Sequence, residues 1–362
     1  MKLRAAIISL GSRSSDWTAD AMKKYFEEVD HLDIRKIDIK ISGNEEEIIY
    51  DGKPLKEYDC IYAKGSFRFA QLLKSLTCIL ERRCYMPLSS DSFTVAHDKL
   101  LTNLELQRNK IPMPKTFITA TIAAAKKVLE KAKYPVVMKF PQGTGGKGVL
   151  FADSYSSASS LLDALEALRQ PFLLQEYIET GGKDLRIIVV GDQVVASMKR
   201  KAALGEARAN FHSGGEGEPV ELDITTKQIA IEVARSIRAD ICAVDILPSP
   251  KGPLVIEANI SPGLQLITKI TKIDIPDIIA RYLYDKTLDW KKKKHANHAT
   301  EILDDLEIPH TQEKSIITNL TFRGGNIILP PVISRLTSFQ PSDSFEIKTE
   351  KDKVTISKMK IS

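Results

Sequence analysis

The chain has 362 residues, of which 43% are hydrophobic and 27% are charged. These ordinary globular values argue against a disordered, collagen-like or coiled-coil chain, and the length predicts two or three domains. The formal net charge is +5, from 52 Lys and Arg against 47 Asp and Glu. So mild an excess suits an anionic ligand such as a nucleotide but does not by itself indicate nucleic-acid binding.

The four cysteines, at positions 60, 78, 84 and 242, form no CxxC motif and have no metal-ligand spacing. We therefore expect reduced thiols, as in cytosolic proteins. The apolar run 5–10 is too short for a signal peptide, and no segment approaches the roughly 18 apolar residues of a membrane span. The expectation is a soluble cytoplasmic protein without a membrane partner.

Residues 1–90 alternate between strand and helix patterns. Buried strands are predicted over 3–11 and 58–66, and amphipathic helices over 16–29 and 67–83. This alternation predicts an α/β domain with a parallel sheet covered on both faces.

Residues 91–285 carry most of the informative sequence, and we divide them into two parts, 91–170 and 171–285. Helices are predicted over 94–110, 121–132 and 157–168, with strands over 135–140, 171–178, 184–202, 241–249 and 253–260. Short turns join the later strands, which predicts a largely antiparallel second half.

The last part of the chain changes character twice. Residues 286–314 hold a basic run and then an acidic stretch, which predicts a polar linker. Residues 315–362 form a unit of short β segments with a turn at 323–326.

The strongest chemical signal is a set of acids inside apolar strands. Asp245 lies in the strand 241–247, and Glu257 and Asn259 lie two apart in the next strand. Period-2 geometry places Glu257 and Asn259 on one face together with Val255, and a hairpin can bring Asp245 beside them. Three hard oxygen donors suit Mg²⁺ that also holds phosphates. The alternative is the exposed face of an edge hairpin.

A glycine-rich loop follows the strand that carries Lys139. Its glycines, which would let backbone N–H groups surround phosphate oxygens, are Gly143, Gly145, Gly146 and Gly148. The loop matches neither the Walker nor the Rossmann pattern, and a simple flexible hairpin is the alternative.

Two further segments are less specific. The segment 173–178 can form a hinge whose backbone pairs with an adenine edge, and Asp184 follows within reach of ribose hydroxyls; an ordinary strand is the alternative. The segment 197–215 holds Arg200 and Arg208, which suit phosphoryl oxygens and a substrate carboxylate. It could equally be a basic surface loop. Taken alone, His212 is more typical of a structural residue and Lys99 of a solvated helix.

Taken together and in this order, these residues resemble the ATP-grasp superfamily, and the RimK-type α-L-glutamate ligases in particular. The resemblance covers residues 1–285, and its most specific elements are MKRKA, RANFHSGG, VDIL and IEANISPGL. It implies an α/β and α+β ATP-grasp fold: a pre-ATP-grasp domain (1–90), a central subdomain (91–170) and a C-terminal subdomain (171–285).

The resemblance also implies roles for individual residues. ATP would be bound by Lys99, Lys139, Gly143, Gly145, Gly146, Gly148, Glu176, Tyr177, Ile178, Asp184, Arg208 and Asn210. Mg²⁺ or Mn²⁺, as two ions, would be bound by Asp245, Glu257 and Asn259. Arg200 and Arg208 would be catalytic, and the substrate would contact Arg200, His212, Ser261 and Gly263.

The implied reaction adds L-glutamate, or a similar amino acid, to a carboxylate acceptor through an acylphosphate. The acceptor would be a protein C-terminus or a small coenzyme. Such chemistry needs charge neutralisation and positioning rather than a protein nucleophile.

The tail 315–362 resembles the AbrB/SpoVT-like swapped-hairpin β domain, whose members interleave strands into dimers and often bind DNA. Here seven basic residues face four acidic ones, a net charge of +3 that is too weak to indicate DNA binding. We expect the tail either to form a homodimer or higher oligomer or to recruit substrate. The alternative function is a nucleotide-sensing, DNA-associated regulator.

Overall fold

The structure is a computed structural model that describes residues 2–43, 45–143, 148–201, 216–305, 321–324, 326–329, 333, 337, 339–340, 343–351 and 353–359. Two compact units are present, residues 1–297 and residues 298–362. The boundary between them falls inside the segment that the sequence predicts to be a linker.

The first unit begins with a small parallel sheet. The elements of this N-terminal part are β1 (Arg4–Ser9), α1 (Arg13–Met22), β2 (Glu28–Asp33), β3 (Ile37–Ser42), β4 (Glu45–Tyr50), β5 (Lys53–Pro54), β6 (Cys60–Ala63) and α2 (Ala70–Leu80). Strand β1 lies between β2 and β6 and is parallel to both, while β3, β4 and β5 form a separate antiparallel sheet.

Helix α1 is shorter than the sequence predicts. The apolar spacing continues to Val29, but the helix ends at Met22, and residues 28–33 form β2. The reason is tertiary: Val29 and its neighbours pair with β1, an interaction that local periodicity does not report.

A four-stranded antiparallel sheet follows, in the order β7-β10-β8-β9. The elements of this part are α3 (Ser90–His97), α4 (Lys99–Arg108), β7 (Thr116–Phe117), α5 (Ile122–Leu129), β8 (Val136–Lys139), β9 (Val149–Ala152), α6 (Tyr155–Ala167) and β10 (Leu173–Glu176). Helices α5 and α6 pack on this sheet around an apolar core of its own.

The single helix predicted over 94–110 is in fact two helices. Asp98 has an extended backbone, and its carboxylate accepts hydrogen bonds from the amides of Leu100 and Leu101. An aspartate that caps a new helix in this way ends the preceding one. Lys99 therefore begins α4.

A five-stranded antiparallel sheet completes the first unit, in the order β13-β12-β11-β14-β15. Its elements are β11 (Lys183–Val190), β12 (Gln193–Lys201), β13 (Glu216–Pro219), α7 (Ile224–Ser236), β14 (Ile241–Ser249), β15 (Gly252–Asn259), α8 (Gln265–Thr271) and α9 (Ile275–Asp305). The sequence predicts the antiparallel pairing but neither β13 nor α7. One apolar core joins this sheet to the N-terminal sheet.

Helix α9 runs through much of the predicted linker. Leu283 and Thr287 are fully buried, and Lys291 forms an ion pair with Asp59 at the start of β6. At least the first residues of the predicted linker are therefore packed against the first unit.

The described residues of the second unit form two antiparallel hairpins. They are formed by β16 (Thr321–Arg323) with β17 (Asn326–Ile328), and by β18 (Phe345–Glu350) with β19 (Lys353–Lys358). Within the described residues, no helix combines the length and the apolarity needed to cross a membrane.

Candidate active site

A cleft lies between the four-stranded and the five-stranded sheets. One wall comes from β8, β9 and β10, and the other from β11, β12, β14 and β15. Its lining combines apolar and ionic side chains: Lys99, Val137, Lys139, Val149, Phe151, Gln175, Glu176, Tyr177, Ile178, Thr180, Gly182, Lys183, Asp184, Arg200, Asp245, Leu247, Ile256 and Glu257. Nine of these were singled out from the sequence, so the fold gathers them into one place.

An ionic cluster covers the cleft-facing side of the five-stranded sheet. Arg200 binds both carboxylate oxygens of Asp184 at 2.6 and 2.5 Å, and its Nη2 also lies 2.9 Å from Asp245 Oδ2. Arg186 binds both oxygens of Asp245 at 2.9 and 2.7 Å. The strand register causes this pattern, because Asp184 pairs with Arg200 and Arg186 pairs with Asp245.

The pKa values of the two aspartates in this cluster shift in opposite directions. Burial alone would raise the pKa of Asp245, but the guanidinium groups of Arg186 and Arg200 hold that pKa well below its usual range. Among the described residues Asp184 forms an ion pair with Arg200 alone, and burial raises the pKa of Asp184. The sequence predicts that Asp184 contacts a ribose and that Arg200 contacts substrate; here the two side chains bind each other.

Glu257 lies directly opposite Asp245 in the pairing of β14 with β15. Burial, and then the neighbouring Asp245, raise the pKa of Glu257. None of the described residues donates a hydrogen bond to its carboxylate or places a cation within 4.0 Å of it. Glu257 is thus the acid of the cleft whose charge the described residues leave without a direct partner.

A β-bulge corrects one sequence expectation. The register shifts after the Asp245–Glu257 pair, so that Ile246 pairs with Val255 and Ile256 is the extra residue. Val255 is consequently fully buried in the core instead of sharing the face of Glu257, whereas Ile256 joins the cleft wall.

The acids of this hairpin suit a hard cation. Asp245 and Glu257 share one face, and Asn259 follows two residues later, with its Oδ1 accepting from the amide of Ser261 at 2.9 Å. Within the described ranges, no three His, Cys, Asp or Glu side chains group to hold a metal. Two carboxylates and an amide oxygen could supply part of the coordination sphere of Mg²⁺, whose remaining ligands are typically phosphate oxygens and water.

Two lysines face these acids. Lys139 donates to Gln175 Oε1 at 2.6 Å, and burial lowers the pKa of Lys139 to about 8. Lys99 donates to the carbonyl of Gly143 at 3.0 Å, and its amide donates to the carbonyl of Pro141 at 2.8 Å. The start of α4 is thereby fixed to the start of the glycine-rich loop.

At the other end of that loop, Gly148 accepts a hydrogen bond from the Phe140 amide at 2.9 Å and has a φ of +81°. A Cβ there would lie 2.7 Å from the Phe140 ring, so the position favours glycine. Gly145 and Gly146 lie outside the described residues, as do Arg208, Asn210 and His212.

The predicted adenine hinge lies at the apolar end of the cleft. The Glu176 side chain is exposed and accepts from the Lys115 amide at 2.8 Å, while its own amide donates to the Lys115 carbonyl. Tyr177 packs edge-on against Phe151, with ring centroids 6.1 Å apart. Ile178 continues this lining.

The turn after Asn259 is attached to the N-terminal sheet. The Ser261 hydroxyl accepts from the Gly65 amide at 3.0 Å, and Ser14 Oγ accepts from the Leu264 amide at 2.8 Å. Gly263 lies between these two anchors. The turn therefore lies beside the carboxyl end of β6 and the first turn of α1.

Arg186 and Gln175 contact the site residues but were not predicted from the sequence to belong to the site. Arg186 lies two residues after Asp184, so strand alternation could have placed both on one face. Its bond to Asp245 depends on the β11–β14 register, which no local pattern encodes. Gln175 orients Lys139 and also donates to Thr116 Oγ1 at 2.8 Å.

Comparison with known proteins identifies the family to which this chain belongs. Residues 96–283 match the model of the RimK-like ATP-grasp domain. The chain is 33% identical over 289 residues to the "Probable alpha-L-glutamate ligase" of Marinomonas sp. (strain MWYL1), covering 78% of this chain and 95% of that protein. A protein of the same description from Cellvibrio japonicus (strain Ueda107) is 34% identical over 286 residues, with coverage of 78% and 95%.

The fold has a counterpart among solved structures. The ATP-grasp ligase PsnB, complexed with a phosphomimetic variant of its minimal precursor, Mg and ADP, superposes with a TM-score of 0.63 at 15% identity, covering 79% of this chain and 99% of PsnB. The chain thus has the ATP-grasp fold and belongs to the RimK-like ATP-grasp family. Within that family it is an ATP-dependent carboxylate–amine ligase.

The ionic cluster predicts a large cost for losing Arg200. The substitution Arg200→Met leaves Asp184 buried without a cation, and removing one partner of a buried pair costs about 3–5 kcal/mol. Urea unfolding followed by tryptophan fluorescence should show a clearly lowered midpoint. Arg235→Met is the matched control, because Arg235 also bridges two acids but is 55% exposed; its midpoint should not change measurably. Equal unfolding midpoints for the two variants would contradict the conclusion that Arg200 stabilises the buried carboxylate of Asp184.

Proposed function

We propose that the protein joins the amine of L-glutamate, or of a similar amino acid, to a carboxylate acceptor at the expense of ATP. One observation carries the proposal: acids, lysines and apolar side chains from two sheets line a single cleft. The glutamate assignment is supported by the relatives at 33% and 34% identity, both named as alpha-L-glutamate ligases. The acceptor would be a protein C-terminus or a small coenzyme.

Within this proposal the nucleotide occupies the cleft between the sheets. The adenine would lie against the apolar end, where Glu176, Tyr177 and Ile178 provide the hinge, and Asp184 would face the ribose. The phosphates would be held by the lysine side chains and by backbone amides of the glycine-rich loop. The residues proposed for the phosphates are Lys99, Lys139, Gly143, Gly145, Gly146, Gly148, Arg208 and Asn210.

The proposed cation is Mg²⁺ or Mn²⁺, as two ions held by Asp245, Glu257 and Asn259. PsnB, which shares the fold, was solved with Mg and ADP. Divalent cations neutralise the charge that develops on the transferring phosphoryl group. The half-buried carboxylate of Glu257 supports this assignment, because none of the described residues pairs with it directly and a nearby cation would neutralise its charge.

The proposed reaction has two steps. The acceptor carboxylate attacks the γ-phosphorus of ATP, which forms an acylphosphate and releases ADP. The amine of glutamate then attacks the acyl carbon, so that an amide forms, phosphate leaves and the amine loses a proton.

In the first step the protein neutralises charge and aligns the reactants. Lys139, oriented by Gln175, and Lys99, fixed to the loop at Gly143, place two ammonium groups at the phosphate end of the cleft. The catalytic arginines proposed are Arg200 and Arg208, and the substrate side would be formed by Arg200, His212, Ser261 and Gly263. The apolar walls limit the access of water, which would otherwise hydrolyse an acylphosphate.

Glutamate-dependent turnover tests the proposal. ADP release should require glutamate together with an acceptor, and the acceptor should gain the mass of one glutamyl residue. The substitution Glu257→Gln should lower turnover by about 100- to 1000-fold, the usual effect of removing one charge-stabilising group at a reacting centre. The readouts are ADP release in a coupled assay and mass spectrometry of the acceptor.

Glu232→Gln provides the control, since Glu232 lies on the outer helix α7 and is 55% exposed. Its turnover should match that of the wild type. Full activity of the Glu257 variant would remove the metal assignment, and glutamate-independent transfer would remove the amino-acid assignment.

For the C-terminal unit we propose the AbrB/SpoVT-like swapped-hairpin fold and self-association of two chains. The two hairpins expose several large apolar side chains: Ile327, Ile328, Leu329, Ile347 and Val354. Neighbouring exposed apolar side chains on strands favour burial against another surface. Neither the comparisons nor the described residues favour the alternative of a DNA-associated regulator.

Self-association predicts a measured molar mass above that of a single chain. Light scattering of the full chain should give at least twice 40.3 kDa. A variant carrying Ile347→Asp and Val354→Asp should shift towards the monomer, because both charges would be buried in the interface. Thr355→Asp should stay associated, because adjacent strand residues face opposite sides and Thr355 therefore lies on the other face of the hairpin from Val354. A monomeric wild-type chain would contradict the proposal.

A further inference from the structure

A second cavity of about 270 Å³ adjoins the nucleotide cleft. Its walls come from β1, α1, the loop after β6, helices α3 and α4, and β15. Lys99, Ile256 and Glu257 line both this cavity and the cleft. A molecule bound in the cavity would therefore have one end beside the phosphate side of the cleft. The roles proposed so far leave most of the cavity's polar side chains unused.

Lys64 is the most unusual of these side chains. It is the first residue after β6, it is only 4% exposed, and it lines the cavity. No acid among the described residues comes within 4.0 Å of its ammonium group, whose recorded neighbour is the ring of Tyr62 at 5.3 Å. Burial lowers the pKa of Lys64 to about 8. The fold therefore keeps a lysine in the cavity wall that has no acidic partner among the described residues.

Further hydrogen-bonding groups surround the same space. Helix α1 begins at the cavity, because its N-cap Ser12 and its first-turn Ser15 are both lining residues. The Nε2 atom of His97 is buried and has no hydrogen-bond partner among the described residues, and burial lowers the pKa of His97 to about 4. The hydroxyl of Ser66 makes no capping bond to the short helical turn that it begins. A helix N-terminus and an ammonium group together favour an anion.

From this arrangement we infer that the cavity binds a substrate carboxylate that does not react, and that Lys64 is its principal partner. The inference rests on the proposed ligase function, which supplies two substrates that could carry such a group. One is the amino acid, whose own carboxylates must be kept from phosphorylation. The other is an acceptor with a second carboxylate.

The charges around Lys64 are consistent with an anionic ligand. The titratable groups that share the cavity are His97, Lys99 and Glu257, and Tyr62 lies under the ammonium group. Glu257 faces the acid-bearing strand β14, and Lys99 is bonded to Gly143. Lys64 is thus the cation of the cavity that no described side chain or carbonyl engages, and a carboxylate would fill that place with a charge-assisted hydrogen bond.

A binding role and a structural role for Lys64 predict opposite effects on stability. A buried cation without a partner destabilises the folded state, so Lys64→Met should unfold at the same urea concentration as the wild type, or at a higher one. A structural role would lower the unfolding midpoint. Lys23→Met is the matched control, since Lys23 at the other end of α1 is exposed and pairs with Asp20.

The test is a binding titration of the full chain at pH 7 in the presence of Mg²⁺ and saturating ADP. Two probes are titrated and followed by saturation-transfer NMR: L-glutamate, and glutarate, which lacks the amine. Lys64→Met should weaken the binding of at least one probe by tenfold or more, with ADP affinity unchanged within twofold. Lys23→Met should match the wild type for both probes.

Comparison of the two probes identifies which substrate carries the carboxylate that Lys64 binds. Loss confined to L-glutamate assigns the cavity to the amino acid, while an equal loss of both probes assigns it to dicarboxylates in general, as an acceptor would require. If neither probe binds the wild type, or if Lys64→Met binds both normally, the carboxylate site is overturned although ADP still binds. Failure of ADP to bind the wild type would instead overturn the proposed function.

Discussion

The site depends on one electrostatic constraint: three acids share the cleft-facing side of a sheet, and the described arginines neutralise only two of them. Arg200 and Arg186 bind Asp184 and Asp245 in register across adjacent strands. Glu257, opposite Asp245, keeps a pKa raised by burial and by that neighbour. A half-buried carboxylate without a hydrogen-bond or ion-pair partner among the described residues favours the approach of a cation. We propose that the sheet accepts a cation at this position, beside two lysines that are suited to phosphate.

Much of this arrangement could be predicted from residue pattern alone. Asp245 and Glu257 are acids in otherwise apolar strands, and a short turn joins those strands, so their proximity follows from hairpin geometry. Lys139 alternates with apolar neighbours just before a glycine-rich loop. The antiparallel pairing of β11 with β12 and of β14 with β15 likewise followed from their short connections, whereas the pairing of β11 with β14 did not.

The parts that escaped prediction depend on register and tertiary contact. The bulge at Ile256 turns Val255 into the core, and strand alternation cannot reveal an extra residue. Arg186 reaches Asp245 because two strands align at that register, and β2 replaces the end of a predicted helix because β1 lies beside it. Lys64 gave no signal, since its burial arises where the loop after β6 meets β15 and α4. Local sequence patterns predict which face of a strand or helix a side chain occupies, whereas tertiary packing determines which residues that side chain contacts.

The central claim is that the β14–β15 hairpin holds the cation that accompanies the nucleotide. Isothermal titration of ADP with Mg²⁺ and with EDTA, on the wild-type chain and on Asp245→Asn, tests it most directly. The account predicts that Mg²⁺ tightens ADP binding by tenfold or more in the wild type and by much less in the variant. An equal gain from Mg²⁺ in both proteins would show that the cation is held elsewhere, and would contradict the account.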